Sequence, residues 1–203
     1  MRTKYKICGL YRKTDIEYIN QIKPDYCGFI IDYPKSHRSL VPEEVEKLSK
    51  YVDNRITRVG VFVDEPVEII EDLLNRSIID IAQLHGNEDA SVISRIQNNT
   101  KKKVIKAFII KRDEDIKKAM QSKADYILLD AGRGQGKSLN WDWLRENHPG
   151  REYFLAGGLD RDNIRLAIEQ LHPYALDISS GVETEKKKDL DKLKEIKEIM
   201  ESL

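Results

Sequence analysis

Cysteine and proline are scarce in this chain of 203 residues, which contains two cysteines and six prolines. Cys8 and Cys27 lie inside apolar segments without a CxxC or Cys/His partner nearby, which argues against a disulfide framework and against a zinc site. We expect a reducing, cytoplasmic setting. Because no Pro- or Ser-rich linker and no break in composition divides the chain, the sequence predicts one domain over residues 1–203.

Long apolar runs and a net charge are also absent. No stretch approaches the roughly 20 apolar residues of a membrane span. The N-terminal MRTKYKICGLYRKTD has no apolar run long enough for a signal peptide. The 35 basic and 35 acidic residues cancel, so no overall basic field indicates an anionic partner. We therefore expect neither a nucleic-acid partner nor a membrane partner.

Eight short β-rich runs are present, and each is followed by a polar, helix-like stretch. The runs are YKICGL (5–10), YCGFII (26–31), RVGVFV (58–63), IAQLH (81–85), KVIKAFII (103–110), YILLDA (126–131), EYFLAGG (152–158) and ALDISSG (175–181). Several are continuously apolar, as expected for strands covered by helices. Eight βα units in about 200 residues predict an α/β protein with a single (β/α)8 barrel of near-minimal length. A doubly wound open sheet is the alternative.

The stretches between these runs carry helix signals. VPEEVEKLSKYV begins with a proline and early acidic residues, as a helix N-terminus should. EPVEIIEDLL spaces Val67, Ile70 and Leu74 along one face. The C-terminal stretch DLDKLKEIKEIMESL predicts a last amphipathic helix. Its apolar residues at helical spacing are Leu190, Leu193, Ile196, Met200 and Leu203.

Residues that end the predicted strands are the first candidates for a functional site, because a barrel of this kind has its active site at the carboxyl ends of the strands. These residues are Cys8, Gly9, Asp32, Asp64, His85, Asp130, Gly157, Gly158, Ser179, Ser180 and Gly181. A free cysteine has a pKa of about 8.5, so modest tuning gives a thiolate near neutral pH. An aspartate acts as an acid when burial or a neighbouring anion raises its pKa. Cys8 and Asp130 are therefore the candidate base and acid.

Each of these assignments has a structural alternative. Cys8 could be an inert buried filler, and Cys27, which lies early in its strand, fits that description better. His85 could be structural or catalytic. Asp32 and Asp64 could be helix caps or loop hydrogen-bonders.

Two glycine-containing stretches follow the seventh and eighth predicted strands. AGGL (156–159) and SSGVE (179–183) lie where barrels commonly bind phosphate through loop amides and a short helix N-terminus. Glycine lets the backbone approach an anion closely. The alternative is that Gly157 and Gly158 only make a tight turn. Together the two stretches predict a phosphate site.

The stretch DAGRGQGKS (130–138) is similar to a P-loop but does not satisfy its spacing. A P-loop has four residues between its first glycine and the Gly-Lys pair. Here Ala131 occupies the position of that first glycine, and Gly132 and Gly136 enclose only three residues. We therefore expect no nucleotide hydrolysis, and we interpret the stretch as a flexible loop over a ligand.

The motifs together resemble the phosphoribosylanthranilate isomerase family. They are KICGL, GFI followed by SHRSL, VGVFVDE, AQLHGNE, LLDAGRGQGKSLNWDWL, FLAGGLDRDNI and DISSGVE, and they occur in the family's order through nearly the whole chain. The resemblance implies a monomeric or homodimeric (β/α)8 barrel that needs no cofactor or metal. It also implies a phosphorylated aminoaldose substrate and an Amadori rearrangement in tryptophan biosynthesis.

The resemblance also implies roles for particular residues. Cys8 would be the general base and Asp130 the general acid. Arg38 would hold the anthranilate carboxylate. Four residues would line the phosphate site, namely Gly157, Gly158, Ser180 and Gly181.

Two other functions stay open from the sequence. An isomerase of another phosphorylated aminoaldose would share the chemistry, but the related histidine-pathway enzyme would carry an aspartate at the position of Cys8. A noncatalytic sugar-phosphate-binding barrel would keep the glycine stretches and would have no use for a paired Cys8 and Asp130.

Overall fold

The computed structural model describes residues 2–130, 141–146 and 150–203, and within these ranges eight parallel strands form the wall of a barrel. The strands are β1 (Lys4–Cys8), β2 (Tyr26–Ile31), β3 (Thr57–Phe62), β4 (Ile81–Leu84), β5 (Lys103–Ile109), β6 (Tyr126–Asp130), β7 (Tyr153–Ala156) and β8 (Ala175–Ile178). All eight predicted runs are confirmed as strands, although most strands end one to three residues earlier than predicted.

The strand register closes the sheet on itself. Each strand pairs in parallel with the next, and β1 pairs on one side with β2 and on the other with β8. Cys8 is opposite Gly28 in the first pairing, and Lys6 is opposite Asp177 in the second. An open sheet would leave two edges, so the doubly wound alternative is wrong and the (β/α)8 barrel is confirmed.

Helices follow the strands on the outside of the barrel. In the described residues they are α1 (Lys13–Ile22), α2 (Pro42–Ser49), α3 (Val67–Asn75), α4 (Ala90–Thr100), α5 (Asp113–Met120), α6 (Trp141–Glu146), α7 (Ile164–Leu171) and α8 (Leu190–Glu201). Proline at the first position of α2 agrees with the predicted start. The Asp189 side chain caps α8 by accepting from the amides of Asp191 and Lys192. Leu203 was predicted on the apolar face of α8, but it lies beyond the helix end and is exposed.

Alternation along the strands divides the core into two layers. Side chains such as Ile7, Phe29 and Leu129 point outwards and pack against the helices. Side chains such as Tyr26 and Phe154 belong to a separate cluster that fills the barrel. The alternation follows from the two-residue period of a β-strand, which sends successive side chains to opposite faces.

Short additional elements at the carboxyl ends of the strands are absent from the sequence prediction. A two-residue strand, Ser39–Leu40, pairs with the end of β2. After β8 a 3₁₀ turn (Ser180–Val182) leads into a small antiparallel hairpin of Glu183–Thr184 and Lys187–Lys188. The expected loop over a ligand, residues 131–138, lies outside the described residues. None of the helices in the described part of the chain is long and apolar enough to cross a membrane.

Candidate active site

A cleft of about 280 Å³ opens at the carboxyl ends of the strands. Because all eight strands run in the same direction, their last residues meet at this one rim. Six of the seven predicted site residues line the cleft, namely Cys8, Arg38, Asp130, Gly157, Gly158 and Ser180. The rim therefore brings together groups that are up to 172 positions apart in the chain.

Cys8 is packed and also faces the cleft. It ends β1, its residue is 7 % exposed, and it lines the cavity. Burial raises the pKa of the Cys8 thiol, while the positive charges of Lys6 and Lys188 oppose that rise. Burial thus disfavours the thiolate of Cys8, and the neighbouring cations favour it.

Cys27 has a different position. It lies early in β2, is fully buried, and belongs to the layer between the strands and the helices. Burial raises its pKa strongly. Cys27 therefore fills the core, as expected from its place in the sequence.

Asp130 ends β6 and lies nearly across the barrel from Cys8. Two strands separate β1 from β6 on one side of the ring and four on the other. The His85 Nε2 atom lies 3.4 Å from Asp130 Oδ2. The other ring nitrogen, Nδ1, is 3.3 Å from the Gln83 side-chain amide nitrogen. If that amide donates, Nδ1 accepts and His85 carries its proton on Nε2, facing Asp130. His85 thus belongs to the cleft.

Arg38 lies across the entrance to the cleft and is held by a carboxylate that the sequence did not indicate. Its Nε and Nη2 atoms donate to Glu183 at 2.7 and 2.6 Å. A side chain on Gly9 would meet Arg38 Cδ at 2.4 Å, so the guanidinium passes directly over this glycine. Gly9 also has a φ of +80°, which favours glycine. The bidentate pair fixes the plane of the Arg38 group while the Nη1 edge faces away from Glu183.

Glu183 also binds a second cation. Lys188 Nζ donates to Glu183 Oε1 at 2.7 Å and to the Ser179 carbonyl at 2.9 Å. Burial opposes ionisation of Glu183, but Arg38 and Lys188 hold its pKa below the ordinary value. The small hairpin after β8 therefore serves to place one carboxylate between two cations beside Cys8.

The two glycine-containing loops touch each other at the same rim. Gly157 and Gly158 both have positive φ values, +99° and +68°, which make the tight turn that the sequence suggested. A side chain on Gly181 would lie 2.0 Å from the Leu159 carbonyl oxygen. Close approach of the loops therefore requires glycine at position 181. Gly158 and Ser180 face the cleft together, which suits the expected binding of an anion by backbone amides.

Asp64 and Asp32 have local roles in the structure. Asp64 accepts from the backbone and side-chain amides of Asn87, at 2.6 and 3.2 Å, and is thus a loop hydrogen-bonder. Asp32 has a φ of +47°, and its backbone amide donates to the Leu40 carbonyl. Burial raises the pKa of Asp32.

Sequence reasoning missed the charged groups beneath and beside Cys8. Lys6 and Asp177 are buried in β1 and β8, and Glu183 lies in the hairpin. A usable signal existed for the first two, because a charged residue in the middle of an apolar strand must find a buried partner. The identity of that partner depends on which strands become neighbours when the barrel closes. The sequence of one strand does not show this.

The fold and the rim define a class of protein. A closed (β/α)8 barrel whose strand ends place a thiol and a carboxylate in one cleft is suited to acid–base catalysis on a small molecule. In the described residues no three His, Cys, Asp or Glu side chains are grouped so that they could hold a metal ion.

Comparison with known proteins gives the family. Residues 5–199 match the family model for N-(5′-phosphoribosyl)anthranilate (PRA) isomerase. The chain is 42% identical over 205 residues to the N-(5′-phosphoribosyl)anthranilate isomerase of Endomicrobium trichonymphae, covering 98% of this chain and 99% of that one. The chain belongs to the PRA isomerase family, a family of isomerases.

Solved structures agree with this membership. The crystal structure of phosphoribosyl anthranilate isomerase from Thermotoga maritima superposes with a TM-score of 0.89 at 33% identity, covering 99% of this chain and 100% of that one. A second structure holds such an isomerase in complex with reduced 1-(o-carboxyphenylamino)-1-deoxyribulose 5-phosphate. Its TM-score is 0.87 at 32% identity, with 99% and 100% of the chains covered.

Proposed function

We propose that this chain converts N-(5-phospho-β-D-ribosyl)anthranilate to 1-(2-carboxyphenylamino)-1-deoxyribulose 5-phosphate in tryptophan biosynthesis. The observation that carries the proposal is the placing of Cys8 and Asp130 on opposite sides of one cleft whose rim holds the glycine loops and Arg38. Membership of the isomerase family supports it.

The proposed reaction begins with Asp130 as the acid. The carboxylic acid gives its proton to the ring oxygen, the bond from C1′ to that oxygen breaks, and the nitrogen lone pair forms a protonated imine with C1′. His85, 3.4 Å from Asp130, is placed to interact with the carboxylate that remains.

Cys8 then acts as the base. Its thiolate takes the proton from C2′, and the electron pair left behind forms a C1′=C2′ double bond while the imine pair moves to the nitrogen. The resulting enolamine tautomerises to the ketone. General acid–base catalysis of this type contributes typically about 10²–10⁴-fold to the rate. The steps use these side chains and the substrate's own nitrogen.

The two ends of the substrate are bound by separate parts of the rim. Arg38 presents its Nη1 edge to the anthranilate carboxylate, since Glu183 occupies the Nε and Nη2 donors. The phosphate lies against the loops of Gly157, Gly158, Ser180 and Gly181. Binding at both ends positions C2′ between the acid and the base.

Three further proposals follow from the sequence. The chain is one domain, and it works as a monomer or a homodimer, which sedimentation analysis would decide. Its two cysteines are both free thiols, which supports a cytoplasmic location.

The test follows anthranilate-type fluorescence as freshly made phosphoribosylanthranilate is consumed. We expect turnover by the wild type and a loss of about 10²–10⁴-fold in kcat for Cys8→Ala. Cys27→Ala is the matched control, because it removes the other buried thiol, and it should keep wild-type turnover per folded molecule.

Other outcomes would point to the alternatives. Turnover unaffected by Cys8→Ala would contradict the assigned base. Absence of turnover by folded wild type would contradict the proposed reaction and favour another aminoaldose substrate or a noncatalytic sugar-phosphate-binding barrel.

A further inference from the structure

A lysine and an aspartate form an ion pair inside the barrel, directly beneath Cys8. Lys6 is 0 % exposed and Asp177 is 9 % exposed. Lys6 Nζ donates to both carboxylate oxygens of Asp177 at 3.0 Å. The two residues are opposite each other where β8 pairs with β1. Because a buried pair of this kind is often no more stabilising than apolar residues of the same size, stability alone does not explain a lysine here.

The strand geometry brings Lys6 to Cys8. The two residues are two positions apart on β1, so their side chains point to the same, inner face of the barrel. The positive charge of Lys6 opposes the rise that burial causes in the pKa of Cys8. Cys8 is opposite Gly28 on β2. A side chain there would lie 2.8 Å from Cys8 Sγ and 3.1 Å from Lys6 Nζ, so the missing side chain leaves one space for both groups.

The charges around the thiol come from every element that packs against it. They are Lys6 and Asp177 below, Lys188 and Glu183 in the hairpin, Arg38 after β2, Asp130 and His85 across the cleft, and the Cys27 thiol on β2. Among these, Lys6 is the cation that most favours the Cys8 thiolate, and its Nζ faces the same space beside Gly28 as Cys8 Sγ does. Burial favours loss of the Lys6 proton, but Asp177 and Cys8 outweigh it and raise the pKa of Lys6. Lys6 is therefore an ammonium inside the barrel.

We propose that Lys6 supplies the positive charge that stabilises the Cys8 thiolate, and that Asp177 keeps Lys6 protonated for this purpose. The inference rests on the proposed function, since it concerns the base of that reaction. Lys6 acts through Cys8 and is a positioning residue. The thiol releases its proton to solvent through the open cleft, the thiolate receives the proton from C2′, and Lys6 keeps its own proton throughout. The buried pair thus offsets the effect of burial on a base that has to ionise.

The experiment measures the rate at which iodoacetamide alkylates Cys8 as a function of pH. All proteins carry Cys27→Ala, so that only Cys8 reacts. In Lys6→Met we expect the midpoint of the pH profile to move upwards, with alkylation at neutral pH slowed by about tenfold or more, as the loss of a buried positive charge near the thiol would produce. Lys6→Arg keeps the charge and should restore much of the rate.

A matched control breaks another buried ion pair. Lys106 Nζ lies 2.9 Å from Glu88 Oε2, with both side chains nearly inaccessible, on the other side of the barrel. Lys106→Met should leave the alkylation profile of Cys8 unchanged. A profile in Lys6→Met identical to that of the parent protein would overturn the proposal, as would an equal shift in Lys106→Met.

A double variant keeps the test available if Lys6→Met does not fold. Lys6→Met/Asp177→Asn leaves no carboxylate unpaired in the barrel. Since Lys6 affects the thiol more than Asp177 does, this variant should also alkylate more slowly than the parent. An unchanged or faster rate would overturn the proposal. Alkylation needs no substrate, so a dependence on Lys6 in a protein that does not turn over phosphoribosylanthranilate would refute the proposed function alone.

Discussion

The interior of the barrel is filled with large rings at the amino ends of the strands and left open at the carboxyl ends. At the amino ends the rings of Tyr126 and Tyr174 stack with centroids 5.1 Å apart, and Phe154 packs edge-on against Tyr26 at 5.3 Å. At the carboxyl ends the strands carry residues such as Cys8, Asp130 and Ala156, which line the cleft.

Two lysines on β1, Lys4 and Lys6, lie in the two different environments. Lys4 is partly exposed and donates to the Tyr174 hydroxyl at 2.8 Å. Lys6, two positions further along β1, is fully buried and pairs with Asp177 beneath Cys8. Two inner-facing lysines of one strand therefore lie beside the aromatic cluster at one end and beneath the candidate active site at the other. We expect substitutions at the amino end to reduce stability more than turnover, and substitutions at the carboxyl end to reduce turnover more than stability.

The largest expected effect on stability is at the aromatic end. Phe154→Ala should lower the free energy of unfolding by about 3–5 kcal/mol, because it leaves a cavity among stacked rings. Turnover per folded molecule should stay near that of the wild type. Urea denaturation and the fluorescence assay measure the two quantities, with Phe108→Ala, a partly buried ring, as control. A loss of unfolding free energy below about 1 kcal/mol would contradict the assignment of the stabilising core to these rings.

The second largest effect is expected at Gly28, which faces both Cys8 and Lys6. Gly28→Ala forces a methyl group against Cys8 Sγ and Lys6 Nζ, which we expect to reduce kcat and to cost about 1–3 kcal/mol of stability. Gly60→Ala is the matched control, because its methyl group would meet Ile79 and Phe62 instead. The control should lose stability and keep the wild-type kcat per folded molecule. An equal loss of kcat in both variants would contradict the inference that the space beside Gly28 matters for the reaction.

A smaller effect is expected at Arg38. Arg38→Lys removes the planar group that pairs with Glu183 and leaves a single donor point for the substrate carboxylate. We expect KM to rise by about tenfold, which corresponds to about 1.4 kcal/mol, with kcat less affected. Arg58→Lys breaks a similar bidentate pair with Asp80 at the amino end of β3 and should leave KM unchanged. An unchanged KM in Arg38→Lys would remove Arg38 from the binding site.

The smallest effect concerns pH. Because the pKa of Glu183 is depressed in the folded protein, its ion pairs contribute stability above the ordinary glutamate pKa, and that contribution is lost as pH falls through the folded value. The difference in unfolding free energy between wild type and Glu183→Gln should therefore be largest near neutral pH and shrink in acid. Urea denaturation at pH 3 to 7 would measure it. A difference in unfolding free energy that grows towards acid pH would contradict the stabilising role of the Glu183 ion pairs.

The sequence predicted the barrel because its strands are continuous apolar runs and its helices carry their own start signals. Both features are local. The hairpin after β8 was missed because its strands, Glu183–Thr184 and Lys187–Lys188, are only two residues long and mostly charged. Cys8 and Asp130 could be placed at strand ends because the end of a strand is visible in the sequence.

Pairings between distant strands were out of reach of the same reasoning. Lys6 and Asp177 are 171 positions apart, and they meet only because β1 pairs with β8 when the ring closes. Arg38 and Glu183, 145 positions apart, meet only because the loop after β2 and the hairpin after β8 share the rim. Strand ends can thus be predicted one by one, whereas their partners depend on register and closure.

We infer that the cleft at the carboxyl ends of the strands is the active site, and Asp130→Asn is the variant that tests this inference. We would measure kcat/KM for phosphoribosylanthranilate and the unfolding free energy of Asp130→Asn, beside Asp64→Asn, which changes an aspartate that only holds a loop. We expect Asp130→Asn to lose about 10²–10⁴-fold in kcat/KM at nearly unchanged stability, and Asp64→Asn to stay active. Wild-type kcat/KM in folded Asp130→Asn would contradict it.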